Sequence, residues 1–152
     1  MATTVTASTL KVTVKESILL NGVQHEHKQE QSIANVNMVS QRIVRIPTST
    51  EIILAFNATT IGAGQYISGD VKYIRITNLD DTNYLNIGLR KSGADVAYLK
   101  IEKGDSVLLH NTKLQAKSNG GGFSDFQTLT DIIAIANSSA IDAEVFVASS
   151  QS

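Results

Sequence analysis

The fold class is decided by the stretch VKYIRITNLDDTNYLNIGLR at residues 71–90. Apolar and polar side chains alternate in its first half, where Ile74 and Ile76 stand between polar neighbours, and again in its second half through Leu85 and Ile87. Alternation with a period of two gives a strand one buried and one wet face, and the Asn- and Asp-rich residues between the halves are typical of a turn. The stretch is therefore predicted to form two β-strands joined by a turn.

The same rhythm continues to His110, so residues 71–110 are predicted to form a meander of consecutive strands. With the apolar segments on either side, we expect about nine strands and no convincing helix. The predicted fold is all-β, an antiparallel β-sandwich at residues 10–149. Residues 1–9 are small and hydroxyl-bearing and are predicted to be a flexible N-terminal arm, and residues 150–152 a C-terminal tail.

Composition excludes several classes of function. The chain has 152 residues, enough for one domain with its own core, and no cysteine, which excludes disulfides, thiolate zinc sites and thiol chemistry. Thirteen basic residues against fourteen acidic ones give a net charge of −1, which argues against a nucleic-acid or anionic-membrane surface. The N-terminus lacks the basic start and apolar stretch of a secretory signal, so synthesis in a cytoplasm is expected.

Asn21-Gly22 is the strongest short-range signal in the chain, because both residues tolerate the positive φ of a type I′ turn. It predicts a hairpin between the alternating segment that begins at Leu10 and a return strand at residues 23–31, VQHEHKQEQ. That return strand is polar on both faces, so it is expected at a sheet edge, projecting from the body, or at a wet interface. The residues predicted to form this interface are Leu10, Val12, Val23, His25, His27, Gln29 and Gln31.

Further along the chain, Val39–Ile46 is predicted to be a strand that the only proline ends, and Glu51–Phe56 another strand. Three glycines in Asn57–Gly69 predict a loop, and the glycine-rich segment Asn111–Asp125 predicts a longer one. Residues 129–136 are apolar enough for a buried strand or a short helix, and their isoleucines favour the strand.

His25 and His27 are the only ligand-type cluster, because their alternate spacing in a strand puts both imidazoles on one face, as two ligands of a metal site require. A third ligand would have to come from elsewhere, and Gln29 and Gln31 on the same face are poor metal ligands. A solvated or subunit-contact strand is therefore favoured, and no metal or other cofactor is predicted. At an oligomer axis, the two histidines would form a pH-sensitive cluster.

The other polar groups give no catalytic constellation. Residues 80–83, Asp-Asp-Thr-Asn, favour a turn that bonds its own backbone over a surface calcium site. His110 and Asp105 belong to no nucleophile elbow, metal-binding helix or phosphate loop, so no catalytic residue is predicted. Five basic residues could group on one sheet face, and a solvated face is favoured over a binding patch; they are Arg42, Arg45, Arg75, Arg90 and Lys91.

Four segments carry a resemblance to a known group of proteins. They are RIVRIP at residues 42–47, KYIRITNLD at 72–80, LKIEKGDS at 99–106 and AEVFVA at 143–148. On these segments the chain, across residues 10–149, resembles the small virion structural proteins of tailed bacteriophages, including capsid decoration and cement proteins. The resemblance implies a β-sandwich or jelly-roll fold and binding as trimers or rings on the capsid or tail, and it carries over no functional residue.

The arm and the polar strand at residues 23–31 fit an assembly role, because both are suited to reach a neighbour. We expect a non-enzymatic capsid decoration protein on the virion surface, a homo-oligomer with a homotrimer favoured. Its expected partners are itself and the major capsid protein or another virion protein, with no nucleic acid, membrane or small-molecule substrate. The alternatives are a phage tail, neck or fibre component, a lectin-like ligand-binding β-sandwich, and a cupin-like enzyme that uses His25 and His27.

Overall fold

A computed structural model describes residues 5–62, 64–67, 69–91, 96–110 and 129–150, of which 57–62 by their backbone alone. These ranges contain twelve β-strands and no helix. The strands are β1 Ser8–Leu20, β2 Val23–Val36, β3 Met38–Ile46, β4 Glu51–Ala55, β5 Asn57–Gly62, β6 Gln65–Ile67, β7 Val71–Asn78, β8 Leu85–Arg90, β9 Val96–Ile101, β10 Ser106–Leu109, β11 Asp131–Ala136 and β12 Ile141–Ser149.

The strands form two stacked sheets and a separate two-stranded ribbon. One sheet has four strands in the order β10-β7-β12-β3, and the other has six in the order β5-β6-β4-β11-β8-β9. The ribbon consists of β1 and β2 alone. All pairings in the described ranges are antiparallel except one parallel bridge between β4 and β6. The predicted all-β, antiparallel β-sandwich is confirmed.

Eight strands of the sandwich are paired as nested layers of one long folded hairpin. β3 pairs with β12, β4 with β11, β7 with β10, and β8 with β9, so the first strand meets the last and the middle two meet each other. Alternate layers fall in opposite sheets, which is the arrangement of a jelly roll. The strands β5 and β6 extend the six-stranded sheet at its β4 edge.

The main core lies between the two sheets. Ile74, Ile76, Leu85 and Ile87 are all completely buried there, which confirms the strand faces that the alternation at residues 71–90 predicts. The four-stranded sheet adds Ile46 and Val145, and the six-stranded sheet adds Leu54 and Ile132.

The predicted meander is wrong. β7 pairs with β10 and β12 in one sheet, whereas β8 pairs with β9 and β11 in the other. Of the four strands β7 to β10, only β8 and β9 are neighbours in both sequence and space. The chain crosses between the sheets at Leu79–Tyr84 and again at Glu102–Asp105. A period of two shows which face of a strand is buried, and it contains no information on which strand lies alongside.

Asn78 holds the first of these crossings in place. Its side chain is completely buried. Its Nδ2 donates to the carbonyl oxygens of Asn83 at 2.9 Å and Ile101 at 3.2 Å, and its Oδ1 accepts from the backbone N–H of Asp80 at 3.0 Å. All three partners are backbone groups of the two crossing segments or their flanks, so one side chain ties both crossings together.

The loop predicted at Asn57–Gly69 is also wrong, because this segment contains the antiparallel pair of β5 and β6. Two of its glycines are needed for turns, since Gly64 and Gly69 have φ angles of +74° and +89°. The threonines and the isoleucine of residues 59–61 favour extended backbone, and this preference outweighs the glycine signal. These two strands raise the number above the nine expected.

Two other predicted elements, a strand near residue 131 and a strand end at the proline, are confirmed. Residues 131–136 form a strand, as favoured over a helix, and β3 ends at Ile46, directly before Pro47. At the N-terminus, residues 5–7 precede β1, which begins at Ser8. The predicted loop at Asn111–Asp125 lies outside the described residues, as do residues 1–4 of the arm and residues 151–152 of the tail.

Candidate interaction surface on a projecting ribbon

The ribbon of β1 and β2 turns at Asn21-Gly22, as predicted. The φ angles of Asn21 and Gly22 are +49° and +76°, the two positive values that a type I′ turn requires. The turn places Leu20 opposite Val23, and every pair from there to the pair of Leu10 with Ile33 follows in strict register. The sequence prediction of a hairpin is therefore confirmed.

This register gives the ribbon two chemically different faces. Residues directly opposite each other in an antiparallel pair lie on the same face, and alternate residues share it. What we call the apolar face contains Leu10, Val12, Val14, Glu16, Ile18, Leu20, Val23, His25, His27, Gln29, Gln31 and Ile33. What we call the charged face contains Lys11, Thr13, Lys15, Ser17, Leu19, Gln24, Glu26, Lys28, Glu30 and Ser32.

The base of the ribbon packs on the outside of the four-stranded sheet. Ile33 and Val36 are buried there in a second, smaller core with Tyr73 of β7 and Ala148 of β12. An irregularity in register between Ser8 and Leu10 shifts β2 by one residue, and Asn35 beside it has a φ of +61°. This bulge lets Ile33 and Val36, three residues apart, both face the sheet.

Aromatic side chains form the floor of this second core. The rings of Tyr73 and Phe146 meet edge to face, with centroids 5.8 Å apart, and the Arg75 guanidinium lies 5.3 Å from the centre of the Phe146 ring. Burial raises the pKa of the Tyr73 hydroxyl, and the Arg75 charge lowers it in part. The alternation at residues 71–90 predicts Tyr73 on the wet face of its strand, opposite to Ile74 and Ile76, and the ribbon base covers it instead.

Beyond its base, the ribbon has no support from the sandwich. Every residue from Thr13 to Glu30 is exposed. On the apolar face, the exposed fraction is 39% for Val14, 56% for Ile18, 53% for Leu20 and 56% for Val23. The face that packs on the body at the base thus continues as an uncovered apolar stripe to the tip.

The charged face has polar cross-strand contacts instead. Lys15 Nζ lies 2.9 Å from Glu26 Oε1, and Gln24 Nε2 donates to Ser17 Oγ at 2.7 Å. About half of each side chain in the ion pair is exposed, so the pair contributes about 0–1 kcal/mol at most. Water solvates this face well, and apart from Leu19 the exposed large apolar side chains of the distal ribbon lie on the other face.

The two histidines lie on the apolar face near the tip. His25 is opposite Ile18, and His27 is opposite Glu16. The described part of the chain contains no group of three His, Asp or Glu side chains placed to hold a metal ion. Along β2, His25 lies between Val23 and His27 on this face, and His27 lies between His25 and Gln29.

The ribbon brings together all seven predicted interface residues on its apolar face. The prediction missed Val14, Ile18 and Leu20 on the same face. The signal for them was present, because the type I′ turn fixes the register and places each of these side chains opposite a named residue of the return strand. It also missed the anchoring role of Ile33, which depends on contacts distant in sequence.

Two of the predicted arginines do share the outer face of the four-stranded sheet. Arg45 Nη1 lies 3.2 Å from Asp142 Oδ1, and Arg75 Nη2 lies 2.5 Å from Glu144 Oε1. Each arginine is thus paired with a carboxylate on the neighbouring strand, β12. The outer face carries balanced charge and offers no basic patch.

The other two arginines have different roles. Arg90 lies in the six-stranded sheet, where its Nε and Nη2 donate to the two carboxylate oxygens of Asp131 at 2.7 and 2.5 Å. The Asp131 hydrogen bond raises the pKa of Arg90. Arg42 donates to the carbonyl oxygen of Ile53. The four arginines therefore do not form one surface.

The acidic turn bonds its own backbone, as favoured over a calcium site. Asp80 Oδ1 accepts from the backbone N–H groups of Thr82 at 2.8 Å and Asn83 at 2.6 Å, and these bonds lower the pKa of Asp80. Asp105 and His110 stand at opposite ends of β10, about 16 Å apart along an extended chain. They do not form a dyad.

Among the described residues, no helix is long and apolar enough to cross a membrane. Comparisons of the chain with protein-family models, with curated proteins and with solved structures found no match.

Proposed function

We propose that this chain is a non-enzymatic virion structural protein, a capsid decoration or cement protein that stabilises the shell by binding across subunit seams as a homo-oligomer. The observation that carries the proposal is the uncovered apolar face of the projecting ribbon. An exposed apolar stripe of this kind, which projects away from its own domain, is typical of a surface that binds another protein.

The strength of one such contact can be worked out. Four large apolar side chains on the distal half of the ribbon are each about half exposed, and full burial of such a side chain contributes about 1.5–3 kcal/mol. One ribbon therefore supplies about 3–6 kcal/mol before the costs of association, which corresponds to weak binding. Cement proteins act through many repeated weak contacts, so that avidity supplies the stability.

The polar groups support a structural role over an enzymatic one. The carboxylate of Asp80 is engaged with its own turn, and those of Asp131 and Glu144 are engaged with arginines. The proposed site of action is the capsid surface, and a tail, neck or fibre position is the alternative that uses the same ribbon contacts.

Virion particles test this proposal directly. Particles purified on a density gradient from infected cells that express this gene should contain the chain at a constant ratio to the major capsid protein, and electron microscopy should place it on the shell. Absence of the chain from the particle band would refute the proposal. Density on the tail alone would transfer the role to the alternative position.

A matched pair of variants links the ribbon to shell stability. Particles that carry Ile18→Ser with Leu20→Ser on the apolar face should lose the chain on dilution and release their genome at a lower temperature. Particles that carry Leu19→Ser, on the charged face, should behave as the parent does, although Leu19 is the most exposed of the three at 68%. If particles of both variants kept the chain and the genome as the parent does, the apolar ribbon face would be excluded as the contact.

A further inference from the structure

We propose that the partner of the apolar ribbon face is the outer face of the four-stranded sheet of a second copy of this chain, at the exposed side chains of Val39 and Ile43 on β3. This inference rests on the proposed function and names the first contact through which the chain assembles. We call these two side chains the β3 patch.

The β3 patch continues a surface that the ribbon already recognises. The ribbon base packs on Phe146 and Ala148 of β12, and β3 is the next strand in the same sheet. Val39 lies directly opposite Ala148, and Ile43 lies opposite Glu144, so both project from the same outer face. They are 54% and 67% exposed. The outer face of the four-stranded sheet thus has apolar side chains that the ribbon base covers and apolar side chains that are exposed.

The chain's own ribbon does not cover this patch. From Thr13 to Leu20, β1 extends about 23 Å beyond the anchored base, and the tip side chains keep about half of their surface exposed. Among the residues that the structure describes, none covers the apolar face of the distal ribbon or the β3 patch within a single copy. A second copy supplies the complement of each.

Charge also favours a copy of the same chain over a strongly charged partner. The distal apolar face carries one carboxylate, Glu16, besides its two histidines. Next to the β3 patch, the charge of Arg45 is balanced by Asp142. Two nearly neutral surfaces match each other, whereas an acidic or basic partner would leave its own charges unpaired.

Area decides how the copies are arranged. The distal face is about 23 Å long and about 10 Å wide, so one ribbon contact buries about 460 Å² on both sides together. Specific interfaces bury at least about 1,000 Å², which a single one-way contact does not reach. In a closed oligomer each copy gives one ribbon and receives one, so about 900 Å² holds it, whether the two contacts are made with one partner or with two neighbours. Area therefore favours a closed oligomer over a one-way pair.

Crosslinking tests the contact, because the natural chain has no cysteine. The double variant Ile18→Cys with Ile43→Cys, treated with a short bis-maleimide, should give covalent oligomers of two or more chains. Each single variant should stay at the mass of one chain. The controls are two double variants, Leu19→Cys with Ile43→Cys and Ile18→Cys with Ile52→Cys, which move one cysteine to the opposite ribbon face or to the other sheet. Neither should crosslink more than one-tenth as much.

Each other outcome overturns the inference in a distinguishable way. Dimers from Ile18→Cys alone would show that ribbons pack on ribbons, and an internal crosslink would show that the ribbon folds back on its own sheet. An oligomer by light scattering with no crosslink in the double variant would place the contact elsewhere and leave the proposed virion role intact. A monomer at all concentrations would exclude self-assembly, while particle purification would still decide the virion role.

Discussion

Substitution of Asn78 tests whether the crossing between the sheets is held by side-chain hydrogen bonds. Asn78→Leu keeps the branching and the number of side-chain heavy atoms and removes three bonds, to Asn83, Ile101 and Asp80. Each bond contributes about 0.5–1.5 kcal/mol net, so the free energy of unfolding should fall by about 2–4 kcal/mol. Urea unfolding at pH 7, followed by circular dichroism, measures the change. A loss below about 0.5 kcal/mol would refute the reasoning.

Asn78→Asp separates the role of the side-chain amide oxygen, which accepts, from that of the amide nitrogen, which donates. The introduced carboxylate still accepts from the N–H of Asp80, but it cannot donate to the carbonyls of Asn83 and Ile101, and it is buried beside both oxygens. Burial raises the pKa of this carboxyl in the folded state above the unfolded value of about 3.9, so the destabilisation should grow as the pH rises above about 4. It should exceed that of the leucine variant at pH 7. As a control, Asn83→Ala removes only exposed side-chain bonds and should cost less than about 1 kcal/mol.

Three further predictions address the sheet, the acidic turn and the ribbon base. Gly88→Ala would place a Cβ 2.7 Å from side-chain carbons of Ile133 and Val96, so calorimetry should show a loss of about 1–3 kcal/mol, and an unchanged melting temperature would contradict the close packing. The lowered pKa of Asp80 means that its contribution to stability is present above pH about 3.9 and lost as the pH falls through the folded value; in acid titrations Asp80→Asn should therefore lose less stability below pH 4 than the parent does, and equal losses would exclude this contribution. Ile33→Ser should speed amide exchange in the ribbon but not in the sandwich, and uniform acceleration would show that the two parts unfold together.

The sequence alone predicted which side chains of the strands are buried. It could not predict which strands lie next to one another in a sheet. The alternation through Ile74 and Ile76 encodes a face, because burial acts on each side chain locally. The placement of β7 beside β12 depends on contacts about 70 residues apart in the chain, for which a period of two gives no signal. Asn78 shows the same limit, since an Asn after an alternating run predicts a turn but not the two carbonyls that the turn will bring to it.

The interaction surface was partly predictable for a related reason. Asn21-Gly22 determines the turn type, and the turn determines the register, so the composition of the apolar ribbon face follows from the sequence up to the pair of Leu10 with Ile33. The residues of the sheet on which that pair packs cannot be derived from the sequence. Tyr73 alternates with core residues, so the pattern predicts it on the solvent face, yet the ribbon base buries it. A sheet face that is exposed to water and one that is covered by a separate element have the same local sequence pattern.

The ribbon's construction also determines when its binding surface is ordered. An isolated two-stranded hairpin is only marginally stable in water, and beyond its base the ribbon has one exposed ion pair and one exposed side-chain hydrogen bond between its strands among the described contacts. Docking of the apolar face would add the third layer that such a hairpin needs. In the proposed assembly, part of the contact energy would be used to order the ribbon, which would keep each contact weak and reversible until the oligomer closes. Such reversibility would serve the proposed role, because wrongly placed copies could dissociate and bind again.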